Sequence, residues 1–152
     1  MRTYTHIHTL TMTILLLFAS FGVMGQQMAE KTLVKSFNLG EAQTVSLNVD
    51  APVEVRESDN SLLRIQMKIS IQDGSDALLK SLVRAGRYNL KHAVNEEGAY
   101  ELTAPALDMP VKIGGKPLAD QVSFVIIKPR KVAFSAPALE QEKEVAQTAS
   151  SL

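Results

Sequence analysis

The side chains able to do chemistry are few in this sequence, and none falls into a recognisable catalytic spacing. The 152 residues contain no Cys, which excludes a thiolate zinc site, an iron–sulfur cluster, a disulfide scaffold and a cysteine nucleophile. His92 is the only His after the first 25 residues. It shares an alternating phase with Tyr88, Leu90 and Val94, so we expect a residue that packs toward the core rather than a metal ligand, which would need partners.

Carboxylates occur in turns and on alternating strands, without the spacing of a binding loop or a catalytic pair. A calcium site would draw on acids that we instead expect to serve as turn and cap residues, namely Asp50, Asp59, Asp73, Asp76 and Asp108. A glycosidase-type pair would draw on acids on wet strand faces or in turns, namely Glu54, Glu57, Glu96, Glu97 and Glu101. Neither set predicts a site.

The sequence also contains no complete motif for nucleophilic catalysis or phosphate binding. Ser36 and Ser58 have no base placed by sequence, and neither G-x-S-x-G nor S-x-x-K with its partner motifs occurs. Gly114-Gly115-Lys116 lacks the spaced Gly and the following Ser or Thr of a P-loop, so a hairpin turn is expected. Formal neutrality argues against a nucleic-acid partner. We expect a non-enzymatic protein with no catalytic residue, cofactor or metal.

The first segment has the composition of an export signal. Arg2 is the only Lys, Arg, Asp or Glu before Glu30, and an apolar run, ILLLFASFGVMG, begins at Ile14. That run is too short to span a bilayer, which takes roughly 20 residues. The pattern predicts a secretory signal peptide over residues 1–25, cleaved before Gln26, with an uncleaved anchor as the alternative. We therefore expect a secreted or periplasmic protein with no membrane span after removal of the signal.

The elements that must position any site are mostly strands. Apolar residues at every second position predict strands at 44–49 and 53–57, joined at Asp50-Ala51-Pro52. Because Pro52 has no N–H, we expect the ladder to break, to form a bulge or to lie at a sheet edge there. The cleanest strand carries alternate apolar residues, namely Leu63, Ile65, Met67, Ile69 and Ile71. An apolar run at 122–127 predicts an inner strand.

A helix is predicted at 76–85, between the strands. Ser75 is placed to cap it, an apolar stripe follows, and Gly86 is placed to end it. Alternation then predicts a strand over 87–94, a hairpin loop at 95–98 and a returning strand with Tyr100 and Leu102. Residues 105–121 are rich in Pro and Gly and predict loops, with a short strand at 111–113.

The stretch 44–71, TVSLNVDAPVEVRESDNSLLRIQMKISI, combines an alternating strand, a small turn, V-x-V, an acidic turn and a long alternating strand. It resembles the adhesin-type domains of bacterial envelopes, including the head domains of autotransporter-like adhesins. The resemblance implies short strands in repetitive layers, an adhesive role and no catalytic residues to transfer. The helix at 76–85, and Asp50-Ala51-Pro52 where the family usually carries Gly, depart from that pattern.

Together these patterns predict a β-rich α+β fold, with a mainly antiparallel sheet or sandwich and one helix packed on it. The expected organisation is a signal peptide at 1–25, a single domain at 31–134 and a disordered polar tail at 135–152. A βαβ unit at 62–94 is one possible topology. The expected function is a non-enzymatic module for binding, adhesion or envelope structure, with an unknown envelope or extracellular protein or glycan as partner. The alternative is a carrier of a small apolar ligand in a sheet–helix cleft.

Overall fold

The computed structural model describes residues 28–139, so the predicted signal peptide and residues 140–152 lie outside the described part of the chain. The elements are β1 (Met28–Asn38), β2 (Thr44–Asn48), β3 (Val53–Ser58), β4 (Leu62–Gln72), α1 (Asp76–Arg84), β5 (Lys91–Val94), β6 (Tyr100–Thr103), β7 (Lys112–Ile113), β8 (Lys116–Pro117), β9 (Asp120–Pro129) and β10 (Ala133–Ser135).

The strands form two four-stranded sheets and a small hairpin. Sheet A has the order β1-β4-β9-β3, sheet B has the order β10-β2-β6-β5, and β7 pairs with β8. Four strand pairings among the described residues are antiparallel, whereas β3–β9, β10–β2 and β2–β6 are parallel. The β-rich α+β class predicted from the sequence is confirmed.

The core lies where the inner faces of both sheets meet. Alternate residues of β4 are buried from Leu63 to Ile71, as predicted, and their neighbours in sequence are exposed or half-buried. Sheet B contributes the buried residues of β2 and β6 to the same apolar cluster, namely Val45, Leu47, Tyr100 and Leu102. The central strand β9 is buried on both faces, because Phe124, Val125 and Ile126 are all at most 4% exposed.

The two short strands predicted around Pro52 are present but belong to different sheets. β2 lies in sheet B and β3 lies in sheet A, so the chain crosses between layers at residues 49–52. Pro52 offers no N–H, but its carbonyl accepts a hydrogen bond from the Phe124 N–H at 2.9 Å. A proline at this crossing therefore begins the β3 ladder without disturbing it.

Helix α1 forms where capping and periodicity predict it. The Ser75 hydroxyl accepts a hydrogen bond from the Leu78 N–H at 3.2 Å, and Gly86 takes the left-handed conformation (φ 84°) just beyond the last turn. Leu79 and Leu82 are buried. The helix packs against β1, at the edge of sheet A.

Two expectations from the sequence are wrong, and two strands cross the predicted domain bounds. β1 begins at Met28, three residues before the predicted domain start, and β10 with buried Ala136 reaches past residue 134. The strand predicted over 87–94 begins only at Lys91, because the chain turns after Gly86. β4 and β5 then lie in different sheets, so residues 62–94 are not a βαβ unit.

The loop-rich stretch contains the expected short hairpin. β7 and β8 flank Gly114 and Gly115, whose φ values of 58° and 81° are those of a type I′ turn. The hairpin turn predicted in place of a phosphate loop is confirmed. Within residues 28–139, no helix has the length and apolarity that crossing a membrane requires.

Candidate functional site

The most buried ion pair of the described chain joins Arg87 and Asp120. Arg87 Nε lies 2.7 Å from Asp120 Oδ2, and Arg87 Nη2 lies 3.1 Å from Asp120 Oδ1. The two side chains are 9% and 8% exposed. Arg87 follows the turn that ends α1, and Asp120 is the first residue of β9. The bidentate pair therefore joins the segment after the helix to the central strand of sheet A.

The remaining guanidinium nitrogen ties down the loop that precedes β9. Arg87 Nη1 donates to the carbonyls of Ala106 (3.1 Å) and Met109 (3.0 Å). Residues 104–111 form no strand, so these bonds add to the contacts that Ala104, Leu107 and Val111 make with the core. All three guanidinium nitrogens are thus occupied by protein acceptors, which leaves little capacity for a ligand.

The electrostatics of this group favour a structural role. Burial alone would raise the pKa of the Asp120 carboxyl, but hydrogen bonds from Arg87 and Tyr88 and the charge of Arg87 outweigh it and hold the pKa below its usual value. The Tyr88 hydroxyl donates to Asp120 Oδ2 at 3.0 Å. Burial and the Asp120 charge raise the pKa of Tyr88. An ionised acid and a neutral phenol, each already paired, are poor proton carriers near neutral pH.

A small cleft beside this pair brings three acids near one another. Its volume is about 140 Å³, and its lining includes Asp50, Asp108 and Asp120. No group of three or more His, Cys, Asp or Glu within the described part of the chain has the geometry to hold a metal ion. The turn acids Asp59, Asp73 and Asp76 do not line this cleft.

A larger groove lies on the outer face of sheet A. It has a volume of about 630 Å³ and lies beside Pro52, just before the start of β3, where sheet A consists of β1, β4 and β9 alone. Two rows of cross-strand neighbours form its floor, namely Thr32, Lys68 and Ser123 in one row and Glu30, Ser70 and Gln121 in the other. Hydroxyl, amide, ammonium and carboxylate groups thus stand side by side on a rigid surface.

His92 does not take the place predicted from its strand phase. It is exposed, because Tyr88 and Leu90 belong to the turn before β5 and their burial does not extend along the strand. Its ring stacks on Tyr100 with centroids 5.2 Å apart and planes 4° apart, and Phe37 of β1 packs edge-on to both rings. The contact joins the edge of sheet A to sheet B, so His92 packs at the seam rather than in the core.

The other candidate residues stay apart or have partners of their own. Glu54 pairs with Arg56 at 2.7 Å, Glu57 pairs with Lys128 at 3.0 Å, and Glu101 accepts from Asn95 at 3.0 Å. Glu96 and Glu97 lie in the β5–β6 loop, Ser36 is exposed on β1, and Ser58 ends β3.

Sequence reasoning missed the Arg87–Asp120 pair altogether. Arg87 had the phase of a wet-face strand residue and Asp120 lay in a loop-rich stretch, 33 residues away. No periodic signal connects two positions of this kind.

Comparisons with known proteins leave the family open. No family model matches the chain, and no curated protein matches it. Among solved structures, it is similar to a crystal structure titled a putative cell adhesion protein from Clostridium sporogenes, with 13% identity and a TM-score of 0.39. The match covers 71% of this chain and 46% of the other, so the chain spans about half the length of that protein.

Proposed function

We propose that this protein is a secreted or periplasmic non-enzymatic module for binding at the cell envelope, with the outer-face groove of sheet A as its contact surface. The observation that carries the proposal is an open groove lined mainly by polar and charged residues, over a core that leaves only about 10 Å³ between sheet A and the segment after the helix. Export rests on the composition of residues 1–25, which lie outside the described structure. The partner is a polar component of the envelope or its surroundings.

The filled core argues for a binding surface over a carrier. The space between the inner face of sheet A and the segment after the helix is a cavity of about 10 Å³, bordered by Leu33, Met67 and Leu90 among others. A volume of that size is about the smallest that holds a single water molecule. Drug-sized ligands occupy roughly 300–1,000 Å³, so an apolar ligand would have no room there.

Asp120 is nearly buried, and its environment makes it unsuited to act as a general acid. It is bound by Arg87 and Tyr88, and these contacts hold its pKa low. A catalytic acid at neutral pH needs a raised pKa and access to substrate. The geometry therefore favours a structural role for the Arg87–Asp120 pair, which lies outside the groove on the outer face of sheet A.

The groove offers what recognition of a polar partner requires. Its floor is fixed by the β1–β4 and β4–β9 ladders, so its groups are held in place before binding. Lys68 stands near the middle of that floor and is exposed. A partner that contacts this face must come within reach of its ammonium group.

Co-sedimentation of the purified protein with envelope fragments of the producing cell tests the proposal. We expect binding by the wild type, loss of most binding in Lys68→Glu, and wild-type binding in Lys80→Glu, which makes the same charge change on an exposed position of α1. Pretreating the fragments with protease or with glycan-degrading enzymes identifies the class of partner. Equal binding by the two variants would overturn the groove as the contact surface, and absence of binding by all three would overturn the function.

A further inference from the structure

Within residues 28–139, the β3 edge of sheet A has backbone groups that no other strand pairs. β3 pairs with β9 on one side, and no described strand lies on its other side. The carbonyls of Pro52 and Ser58 accept from N–H groups of the segment 124–130, at 2.9 and 3.3 Å. Because successive residues of a strand direct their backbone groups to opposite sides, the N–H and C=O groups of Val53, Val55 and Glu57 point away from β9.

This edge differs from the opposite edge of the same sheet. β1 carries Lys31 and Lys35 in the phase that faces inward, beside Ile69 and Ile65 of β4, and inward-pointing lysines oppose the addition of a further strand. β3 contains no lysine and no proline between residues 53 and 58. Its one inward-phase charge, Glu57, is already paired with Lys128 at 3.0 Å.

The side chains of β3 are complementary to a second copy of the same strand. Consider an antiparallel pair with Val55 opposite its own copy. Glu54 then stands opposite the second copy's Arg56, and Arg56 opposite the second copy's Glu54, on the outer face. Both side chains are more than half exposed, so they are free to exchange partners. Opposite charges that face each other across strands stabilise the pairing.

The register that satisfies the charges also satisfies the backbone. With Val55 on the two-fold axis, Val53 of each copy lies opposite Glu57 of the other. The residues whose backbone groups point away from β9 then all meet as hydrogen-bonded pairs. Moving the register by two residues would instead place Glu54 opposite Glu54, or Arg56 opposite Arg56. Val53 and Val55, half-buried at the margin of the core, would gain cover from the second copy.

We propose that β3 is a self-association edge, through which two copies of this chain join their A sheets into one continuous eight-stranded sheet. The order across the dimer is β1-β4-β9-β3 followed by the same strands reversed. The outer-face grooves of both copies then lie on one side of a common sheet. The inference is independent of the proposed envelope partner, because it depends only on the edge.

Sedimentation velocity of the protein expressed from the full chain, over concentrations from low micromolar to near millimolar, tests the proposal. We expect a monomer–dimer equilibrium. Glu54→Arg puts two arginines opposite each other and should weaken the dimer by roughly tenfold or more. The double variant Glu54→Arg, Arg56→Glu restores opposite charges and should restore the wild-type constant. Glu96→Arg makes the same charge change in the exposed β5–β6 loop and should have no effect.

Amide hydrogen exchange, measured by NMR, tests the β3 edge on the wild-type protein, without any substitution. The Val55 amide should exchange rapidly in dilute solution and become protected as the concentration rises, whereas the Glu54 amide, which faces β9, should be protected throughout. A monomer at every concentration would overturn the proposal. So would a dimer that Glu54→Arg leaves intact, a double variant that stays monomeric, or a Val55 amide whose exchange is independent of concentration.

Discussion

Arg87 and Asp120 are joined by two hydrogen bonds of 2.7 and 3.1 Å across 33 residues of sequence. The pair fixes the end of the α1 segment to the start of the strand on which sheet A is centred. It is the most buried ion pair among the described residues.

Removal of the Asp120 charge should destabilise the protein strongly. Asp120→Asn leaves the Arg87 guanidinium nearly buried without its counter-ion, and breaking such a pair costs about 3–5 kcal/mol. Urea unfolding measures the loss. Asp59→Asn serves as the control, because the Asp59–Arg130 pair is largely exposed and should contribute at most about 1 kcal/mol. Similar losses in both variants would contradict a structural role for Asp120.

The same carboxylate should make stability depend on pH in the acid range. Because the folded-state pKa of Asp120 lies below 3.8, its usual value, the unfolded chain binds the proton more readily. The stabilisation is therefore present above about pH 4 and is lost as the pH falls through the folded-state pKa. Urea midpoints measured from neutral to acid pH should fall less steeply in Asp120→Asn than in the wild type. Parallel curves would show that Asp120 is not the group responsible.

The two faces of β4 should respond very differently to truncation. Ile65 is 1% exposed, so Ile65→Ala removes core contacts and leaves a cavity, at a cost of roughly 2–5 kcal/mol. Lys68→Ala, on the outer face, should change the free energy of unfolding by no more than about 0.5 kcal/mol. The midpoints of urea unfolding compare the two. A larger loss of unfolding free energy in Lys68→Ala than in Ile65→Ala would mean that the assigned faces of β4 are reversed.

His92 should contribute modestly to the stability of the fold, through the contacts of its ring. His92→Ala removes the stack on Tyr100 and the edge contact with Phe37, and aromatic contacts of this kind contribute about 0.5–1.5 kcal/mol. Lys91→Ala, one position earlier and also exposed, should be nearly neutral. Thermal unfolding of both variants provides the comparison. A loss of several kcal/mol in His92→Ala would restore the core position that the sequence predicts.

Export should remove the first 25 residues. The apolar run ends at Val23-Met24-Gly25 and a polar chain begins at Gln26. The intact mass of the protein recovered outside the cytoplasm should therefore correspond to a chain that begins at Gln26. Recovery of the full-length chain from the cytosol would contradict both the signal and the location.

Periodicity predicted those elements in which apolar side chains alternate without interruption. β4 could be placed almost to the residue, because its alternate positions are all apolar and all buried. β1 was missed since Lys31 and Lys35 occupy its inward phase and disrupt the pattern. Sequence alone could not assign β2 and β3 to separate sheets, because alternation describes a face of a strand and not its neighbours.

The candidate site was harder to predict than the fold. The groove depends on which strands are adjacent, so Thr32, Lys68 and Ser123 become neighbours only through the β1–β4–β9 register. The prediction for His92 extended the alternation of Tyr88 and Leu90 into β5, but that strand begins only at Lys91. The neighbours in the groove and the position of His92 both depend on contacts between segments that are far apart in the sequence.

The placement of β9 between β4 and β3 has a consequence for the order in which the protein folds. β3 lies early in the chain, yet its partner residues come about seventy positions later, as in the pairing of Glu57 with Lys128. Sheet A therefore cannot close until β9 has been synthesised, and sheet B must wait for β10. Closure of such long loops slows folding. A chain that ends before Asp120 leaves β3 without its partner, although β1 can already pair with β4 and β2 can pair with β6. Sheet A is therefore completed only once residues 120–129 are available.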